Sequence, residues 1–232
     1  MRYRTYNALR QTVGQLGWLD GCLYLANSAL HRLTYGFVRL HKYHFVAQPV
    51  RSTPWLPAKR GAAIEVREVG PSDPLLRDFP RPRWVIPYRF EQGAICLAAL
   101  TDGKCVGFLW MLVGPYREDE VRCRYIPTPQ GKAAWDFDIY VCPEHRAGVV
   151  FMRLWDEANR YLAARGVRWS MSRISAFNSG SLASHTRMGA RRIGSALFLS
   201  VGSLQISAAN VPPRLFVSRH RDVIPDFTLE AV

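Results

Sequence analysis

The chain has no CxxC pair, no internal repeat and no low-complexity tract, and no apolar run reaches the roughly 18 residues that a membrane-crossing helix needs. These absences exclude a zinc ribbon, a solenoid and a helical membrane span. Its five cysteines, Cys22, Cys96, Cys105, Cys123 and Cys142, are an odd set without metal-site spacing, so reduced and mostly buried thiols in a reducing compartment, and no metal, are expected. Acidic residues are scarce at the N-terminal end: Asp20 is the only one in the first 60 positions.

What is abundant is arginine and apolar surface. Among 232 residues, 48% are hydrophobic, which is enough to build a core and excludes intrinsic disorder. The net charge is +13, and nine basic residues against Asp20 place +8 of it in residues 1–60. Such asymmetry suggests a polyanionic partner for the N-terminal quarter. No helix-turn-helix, zinc finger or aromatic-basic RNA platform is legible and the arginines are dispersed, which disfavours nucleic acid.

Leu16, Leu19, Leu23, Ala26, Leu30, Leu33 and Phe37 follow helical spacing, so residues 1–45 are expected to form a basic amphipathic helical extension. Its apolar stripe would pack on the domain or lie in a bilayer interface. Arg2, Arg4 and Arg10 ahead of an apolar stretch are like the start of a secretory signal, but Asp20 and two glycines break the stretch and argue against export. Residues 46–61, with Pro49, Pro54, Pro57 and Gly61, read as a linker, with a compact domain over 62–210 and a tail over 211–232.

Within that domain the pattern predicts a strand over 62–69 and a short helix over 83–92. The clearest local signal is a β-hairpin, 94–100 and 105–113, around the turn Thr101-Asp102-Gly103-Lys104. Residues 133–141 alternate as a strand, with Asp136, Asp138 and Tyr140 on the face opposite Trp135, Phe137, Ile139 and Val141. An amphipathic helix over 149–165 ends at Gly166, and a strand (167–175), a short helix (179–188) and a strand (191–202) complete an α/β (α+β) domain built on one mixed sheet.

The unit 136–166 runs strand, basic loop, helix. A helix N-terminus leaves amides unpaired and suits a phosphate or pyrophosphate, with Arg146 adding fixed charge and Gly148 allowing close approach. Val141, Pro143, Arg146 and Leu154, followed by Asn178, Ser181, His185 and Gly189-Ala190, resemble the two linked motifs of the GNAT superfamily of acyl-CoA-dependent N-acyltransferases. The resemblance covers about 62–207. It implies a central mixed sheet flanked by helices, with Arg146, Ala147, Gly148, Val149, Val150 and Phe151 around the pyrophosphate of acetyl-CoA or a longer acyl-CoA. Ile139, Tyr140 and Val141 would run beside the pantetheine arm, with Asn178 and Ser181 reaching it. Two loop glycines of the family align with Val149 and Phe151, so the pocket is expected to be remodelled.

By the same resemblance, His185 takes the position of a general acid to the leaving thiolate; of the two strand carboxylates Asp136 and Asp138, which the two-residue period puts on one face, Asp138 near the strand's end is the favoured acceptor of a proton from the amine. The expected activity is direct acyl transfer from acyl-CoA, or from an acyl carrier protein, to an amine. The expected location is the cytoplasm, with peripheral attachment to the inner face of the membrane through residues 1–45 and a membrane-proximal or envelope-precursor acceptor. The alternative, from another class, is a non-catalytic binding module of the same fold that docks an acidic partner or membrane.

Overall fold

The structure is a computed structural model that describes residues 16–146 and 148–231. Helix α1 (Trp18–Leu33) leads into strand β1 (Val38–Pro49). β2 (Glu65–Val69), a 3-10 turn (Pro74–Asp78), α2 (Val85–Glu91), β3 (Ile95–Thr101) and β4 (Lys104–Leu112) follow. Next come β5 (Tyr116–Arg117), β6 (Arg124–Thr128), β7 (Ala133–Val141), α3 (Val150–Ala164), β8 (Trp169–Ser175), α4 (Ser179–Arg187) and β9 (Arg191–Val201). The chain closes with β10 (Leu204–Ala209), β11 (Leu215–Ser218) and β12 (Asp226–Glu230).

Nine strands form one sheet in the order β11-β10-β9-β1-β8-β7-β4-β3-β2, and β12-β6-β5 form a second, small sheet. In the large sheet every pairing is antiparallel except β7 with β8. The expected hairpin is β3–β4, and Asp102 and Gly103, with φ of 50° and 74°, supply the two left-handed positions of a tight hairpin turn.

Two apolar layers sandwich the sheet. One face, with Phe45, Phe108, Trp110, Trp135 and Phe198, packs against α2 and the small sheet through Phe90, Tyr125 and Phe227. The other, with Leu97, Leu109 and Ala134, is covered by Val150, Leu154, Trp155, Ala158 and Leu162 of α3. Gly107 lets α3 sit close: a Cβ there would meet the Tyr140 carbonyl at 2.7 Å and Val150 at 3.1 Å.

The domain boundaries expected from sequence need correcting at both ends. Residues 38–49, assigned to the extension and linker, are a central strand: β1 pairs with β8 on one side and β9 on the other. Its interior residues are buried on both faces, so it lacks clean alternation, and the arginine-rich composition around it disguises a core element. Residues 1–15 of the expected extension lie outside the described residues; the helix at Trp18–Leu33 is tied to β1, where Asp20 pairs with Lys42 and Asn27 Oδ1 accepts from the Leu40 amide at 3.0 Å. The Pro-rich stretch is a strap along α3. Arg51 N donates to Asn159 Oδ1 (3.1 Å), Trp55 N and Leu56 N to Asp156 (2.6 and 3.3 Å), and Gly61 lies against Val149 and Arg153. The tail folds back too, with β11 extending the large sheet and β12 pairing with β6.

A chain starting at residue 46 loses most of β1. We expect it to show no cooperative thermal transition by circular dichroism, whereas the full chain unfolds cooperatively.

Candidate functional site

The site begins where the parallel pair parts. β7 and β8 are paired through only three positions, Ala133 with Trp169, Ala134 with Ser170 and Trp135 with Met171. Beyond them β8 stays with β1 to Ser175 and β7 stays with β4 to Val141, so facing edges of both strands lie unpaired across the opening. The cause is a bulge. Phe108 opposes Tyr140 but Trp110 opposes Phe137, so β7 carries one extra residue, and Asp138 takes φ of 52°. A bulge bends its strand and raises its twist, here just past the last β7–β8 pair.

The bulge also breaks the alternation expected from sequence. Asp136 and Asp138 do not share a face. Asp136 lies beside Ser170 on the α3 side, with Ser170 Oγ donating to it at 2.6 Å. Burial pushes its carboxyl up to about 7. Asp138 lies on the opposite side, clamped by Arg81 (Nε at 2.7 Å and a second contact) and by Arg89. Burial raises this carboxyl, but hydrogen bonds and charge from the two guanidiniums outweigh that and hold it below the ordinary carboxylate range. Asp138 is thus a poor proton acceptor, contrary to the expected role.

Around Asp138 is a cleft of about 430 Å³ whose wall the sequence reading missed: Glu118, Asp119 and Glu120, with Arg39, Arg89 and Arg173. Arg173 donates to Glu118 (3.1 and 2.9 Å) and contacts Glu120 at 2.9 Å. Glu120 also accepts from Tyr43 at 2.6 Å, and although burial raises it, Arg173 and Tyr43 bring it below its usual value. Asp119 accepts from Arg89 Nε at 2.7 Å and Tyr116 at 3.1 Å, and burial together with the Glu118 charge pushes it up. The proton affinity of Asp119 is therefore raised. Three consecutive acids in an arginine-rich chain were the available signal.

His185 is buried, with 3% of its surface exposed, and its Nδ1 lies 3.2 Å from Gln48 Oε1. Trp155 and Phe151 approach it edge-on, with ring centroids at 5.6 and 6.2 Å. Burial pushes its pKa down to about 4, so at neutral pH it carries no proton to give as an imidazolium. The general-acid expectation is corrected: His185 is a neutral wedge between α3 and α4.

The loop after β7 behaves as a scaffold with its mouth open. Residues Pro143–His145 form a 3-10 turn, and the Arg146 and Gly148 amides are spent on Pro143 O (3.3 Å) and His145 O (3.0 Å). Ala147 lies outside the described residues. The first-turn amides of α3, on Val150, Phe151 and Met152, have no partner within their own helix. Val149 turns to Gly61 and Phe151 to Trp155 and His185, so both side chains point into packing. Arg146 Nε donates to Val141 O at 3.2 Å, and Arg153 keeps a buried Nε without a partner. Asn178 caps α4 by accepting from Ser181 N at 3.0 Å. Ile139 and Val141 project toward the α3 layer and Tyr140 toward Phe108. The structure thus gathers Ile139–Val141, Arg146 and the start of α3 at one end of the opening, but separates Asp138 from Asp136 and His185, which both lie on the α3 side of the sheet. Among the described residues no group of His, Cys, Asp and Glu is arranged to hold a metal, all five cysteines are free, and no helix is long and apolar enough to cross a membrane.

No protein-family model matches the sequence, and no curated protein matches it as a relative. Solved structures do. A conserved protein of unknown function from Staphylococcus epidermidis superposes with a TM-score of 0.50 at 12% identity, over 74% of this chain and 66% of the other. A tandem GNAT protein from the clavulanic acid biosynthesis pathway gives 0.48 at 13%, over 80% of this chain and 58% of its own. An aminoglycoside N-acetyltransferase in complex with CoA gives 0.42 at 18%, over 54% and 90%. The likeness is one of fold: this chain shares a mixed sheet flanked by helices with the Staphylococcus epidermidis protein.

Asp136 and His185 give opposite pH signatures. The folded-state pKa of Asp136 lies above its unfolded value, so its contribution to stability is full below about pH 4 and is lost as pH rises through about 7. That of His185 is depressed, so its contribution is full above about pH 6.5 and is lost as pH falls toward about 4. Urea titrations from pH 4 to 8 should show Asp136→Asn gaining stability relative to the parent as pH rises, on the order of a few kcal/mol across the window. His185→Gln should gain as pH falls. Parallel curves for all three proteins would exclude this assignment.

Proposed function

We propose that the protein is an N-acyltransferase that moves an acyl group from acyl-CoA, or from an acyl carrier protein, to an amine. The observation that carries the proposal is the parting of β7 from β8 with a basic loop and a helix N-terminus at its open end. A free strand edge can pair with the two amides of a pantetheine arm as an added strand would. The residues present fit such a donor: α3 offers first-turn amides and Arg153 an orphaned buried N–H, beside the exposed guanidinium of Arg146. Arg146 has to release Val141 O for the arm to pair there, and Ala147, Gly148, Val149 and Phe151 then act through backbone and shape. Asn178 retains its amide N–H groups for the arm, and Ser181 flanks it.

The acceptor enters from the opposite side, through the cleft at Asp138. Its ammonium is drawn by Glu118, Asp119 and Glu120, and Asp119 takes the proton that leaves nitrogen. The free amine attacks the thioester carbonyl, a C–N bond forms, the C–S bond breaks, and the thiolate departs with the electron pair and takes up the second proton that the nitrogen sheds as the amide forms. Asp138 serves here as a positioning residue that fixes Arg81 and Arg89. This division matches the burial of each group better than acid catalysis by His185 or base catalysis by Asp136, which lies under α3.

A second reading, a binding module without catalysis, is favoured by one observation: both residues expected to move protons, His185 and Asp138, are locked in structural contacts. Titrating the full chain with acetyl-CoA and longer acyl-CoAs and assaying thiol release with a panel of amines separates the two. We expect binding that Arg146→Ala weakens, and turnover that Asp119→Asn lowers by about 10²-fold with KM little changed. Absence of thiol release from any amine, with or without donor binding by the folded protein, supports the module and removes the acyltransferase.

We further propose that the protein works on a membrane surface. Trp18, Leu19, Leu33, Tyr35 and Phe37 are exposed among the described residues, Tyr35 to 97%, and they lie within the first 60 residues, which together carry +8. Flotation with anionic vesicles should carry the full chain upward and leave a Trp18→Ser, Leu33→Ser, Tyr35→Ser variant at the bottom.

A further inference from the structure

Beside the acceptor cleft lies a second cavity, of about 530 Å³, which the acyl-transfer reading does not use. Four guanidinium groups line it, Arg39, Arg122, Arg219 and Arg221. Among the described residues none of the four makes an ion pair with a carboxylate. The cavity's one acid, Glu120, is already engaged by Arg173 and Tyr43. Such an arrangement is unusual, because arginines gathered around a concave surface repel one another unless an anion joins them.

The site is built rather than incidental. The buried Gln205 side chain locks the Arg122 backbone in both directions, accepting from Arg122 N at 2.9 Å and donating to Arg122 O at 2.7 Å. Arg39 is held by its Nε bond to Gly36 O at 3.0 Å. Burial, and then the charge of Arg221, push the Arg122 guanidinium below its ordinary value, the sign of a cation facing a cation. Ser200 and Ser203 add hydroxyls to the wall. The volume falls in the range of small-molecule sites. Several planar donor forks around one cavity suit a phosphate better than a single carboxylate, since each fork pairs with two oxygens.

We propose that this cavity binds a phosphate or pyrophosphate group, and that the group belongs to the amine acceptor. The second half rests on the acyltransferase reading and on a shared wall: Arg39 and Glu120 line both this cavity and the cleft at Asp138. An acceptor anchored here by phosphate extends past Glu120 toward Asp119, which defines its class as a phosphorylated amine. The phosphate can come from a soluble metabolite or from a lipid headgroup, and Phe37, exposed at the cavity edge, lies in the apolar segment described above.

The test uses the full chain and calorimetric titration with inorganic pyrophosphate, on the parent, on Arg219→Ala/Arg221→Ala and on Arg146→Ala. Arg219 and Arg221 are exposed, so the double variant should keep the parent's melting curve. We expect the double variant to weaken binding by at least about tenfold and Arg146→Ala to leave this site unchanged. Equal pyrophosphate affinity in the parent and the double variant overturns the cavity assignment. Vesicles containing phosphatidic acid separate the sources: retention lost in the double variant supports a lipid phosphate, while pyrophosphate binding without vesicle retention supports a soluble one. If pyrophosphate binds through Arg219 and Arg221 but no acyl-CoA binds or reacts, the phosphate site stands and the acyltransferase reading fails. If thiol release proceeds with unphosphorylated amines and added pyrophosphate does not compete, the link to the acceptor is overturned.

Discussion

One extra residue in β7 governs the architecture around the opening. A non-glycine residue in the left-handed region costs about 1 kcal/mol or more and persists only where its surroundings over-determine it. Asp138 is held there by two guanidiniums, Arg81 from the loop ahead of α2 and Arg89 from α2 itself. With the bulge in place the strand bends away from β8, the sheet parts, and the residues on either side of the bulge exchange faces. Asp136 then lies under α3, and Asp138 in the cleft. Without it, β7 and β8 would continue as a closed parallel pair with no edge to offer a ligand.

The charge excess resolves into groups with different physics. Arg81, Arg89 and Arg173 are partnered with carboxylates inside the cleft, where desolvation offsets much of the Coulomb gain, so their return is geometric fixity rather than stability. Arg39, Arg122, Arg219 and Arg221 line the neighbouring cavity without a carboxylate partner among the described residues and leave a positive field on one side of the cleft. The cleft is therefore polar along its length, with acids toward Asp138 and bare guanidiniums toward β10 and β11. A field of that shape orients any molecule carrying both signs of charge.

The local elements were legible because their signals are local. The hairpin at Asp102-Gly103, the helix closed by Gly166, and strand β7 with its bounds follow from turn chemistry and periodicity alone. What the sequence hid is long-range. β1 is 12 residues with arginine, lysine and two histidines, and only pairing on both edges with strands 120 or more residues away makes it a core element. The bulge is invisible in Trp-Asp-Phe-Asp-Ile, since strict alternation and alternation with one slip have the same composition. For that reason Asp136 and Asp138 were placed on one face. The expected role of His185 rests on motif position, whereas its burial depends on Phe151 and Trp155, which approach it from α3.

The position of β1 also dictates an order of assembly. Its two neighbours, β8 and β9, are synthesised last among the large central strands, so the centre of the sheet stays open until about residue 200 has left the ribosome. Until then the hairpin β3–β4 with β2 and β7 can form one half, while β1 waits as an unpaired strand joined to it only by the strap over 50–63. Closing that gap is a contact of high sequence separation, so the rate of reaching the native state is set by the chain's own topology and falls as that separation grows. The same late seam is where the cavity of arginines is completed, with Arg39 at one end of the chain and Arg219 and Arg221 near the other. A nascent chain therefore has no such cavity, and it comes into being only with the finished sheet.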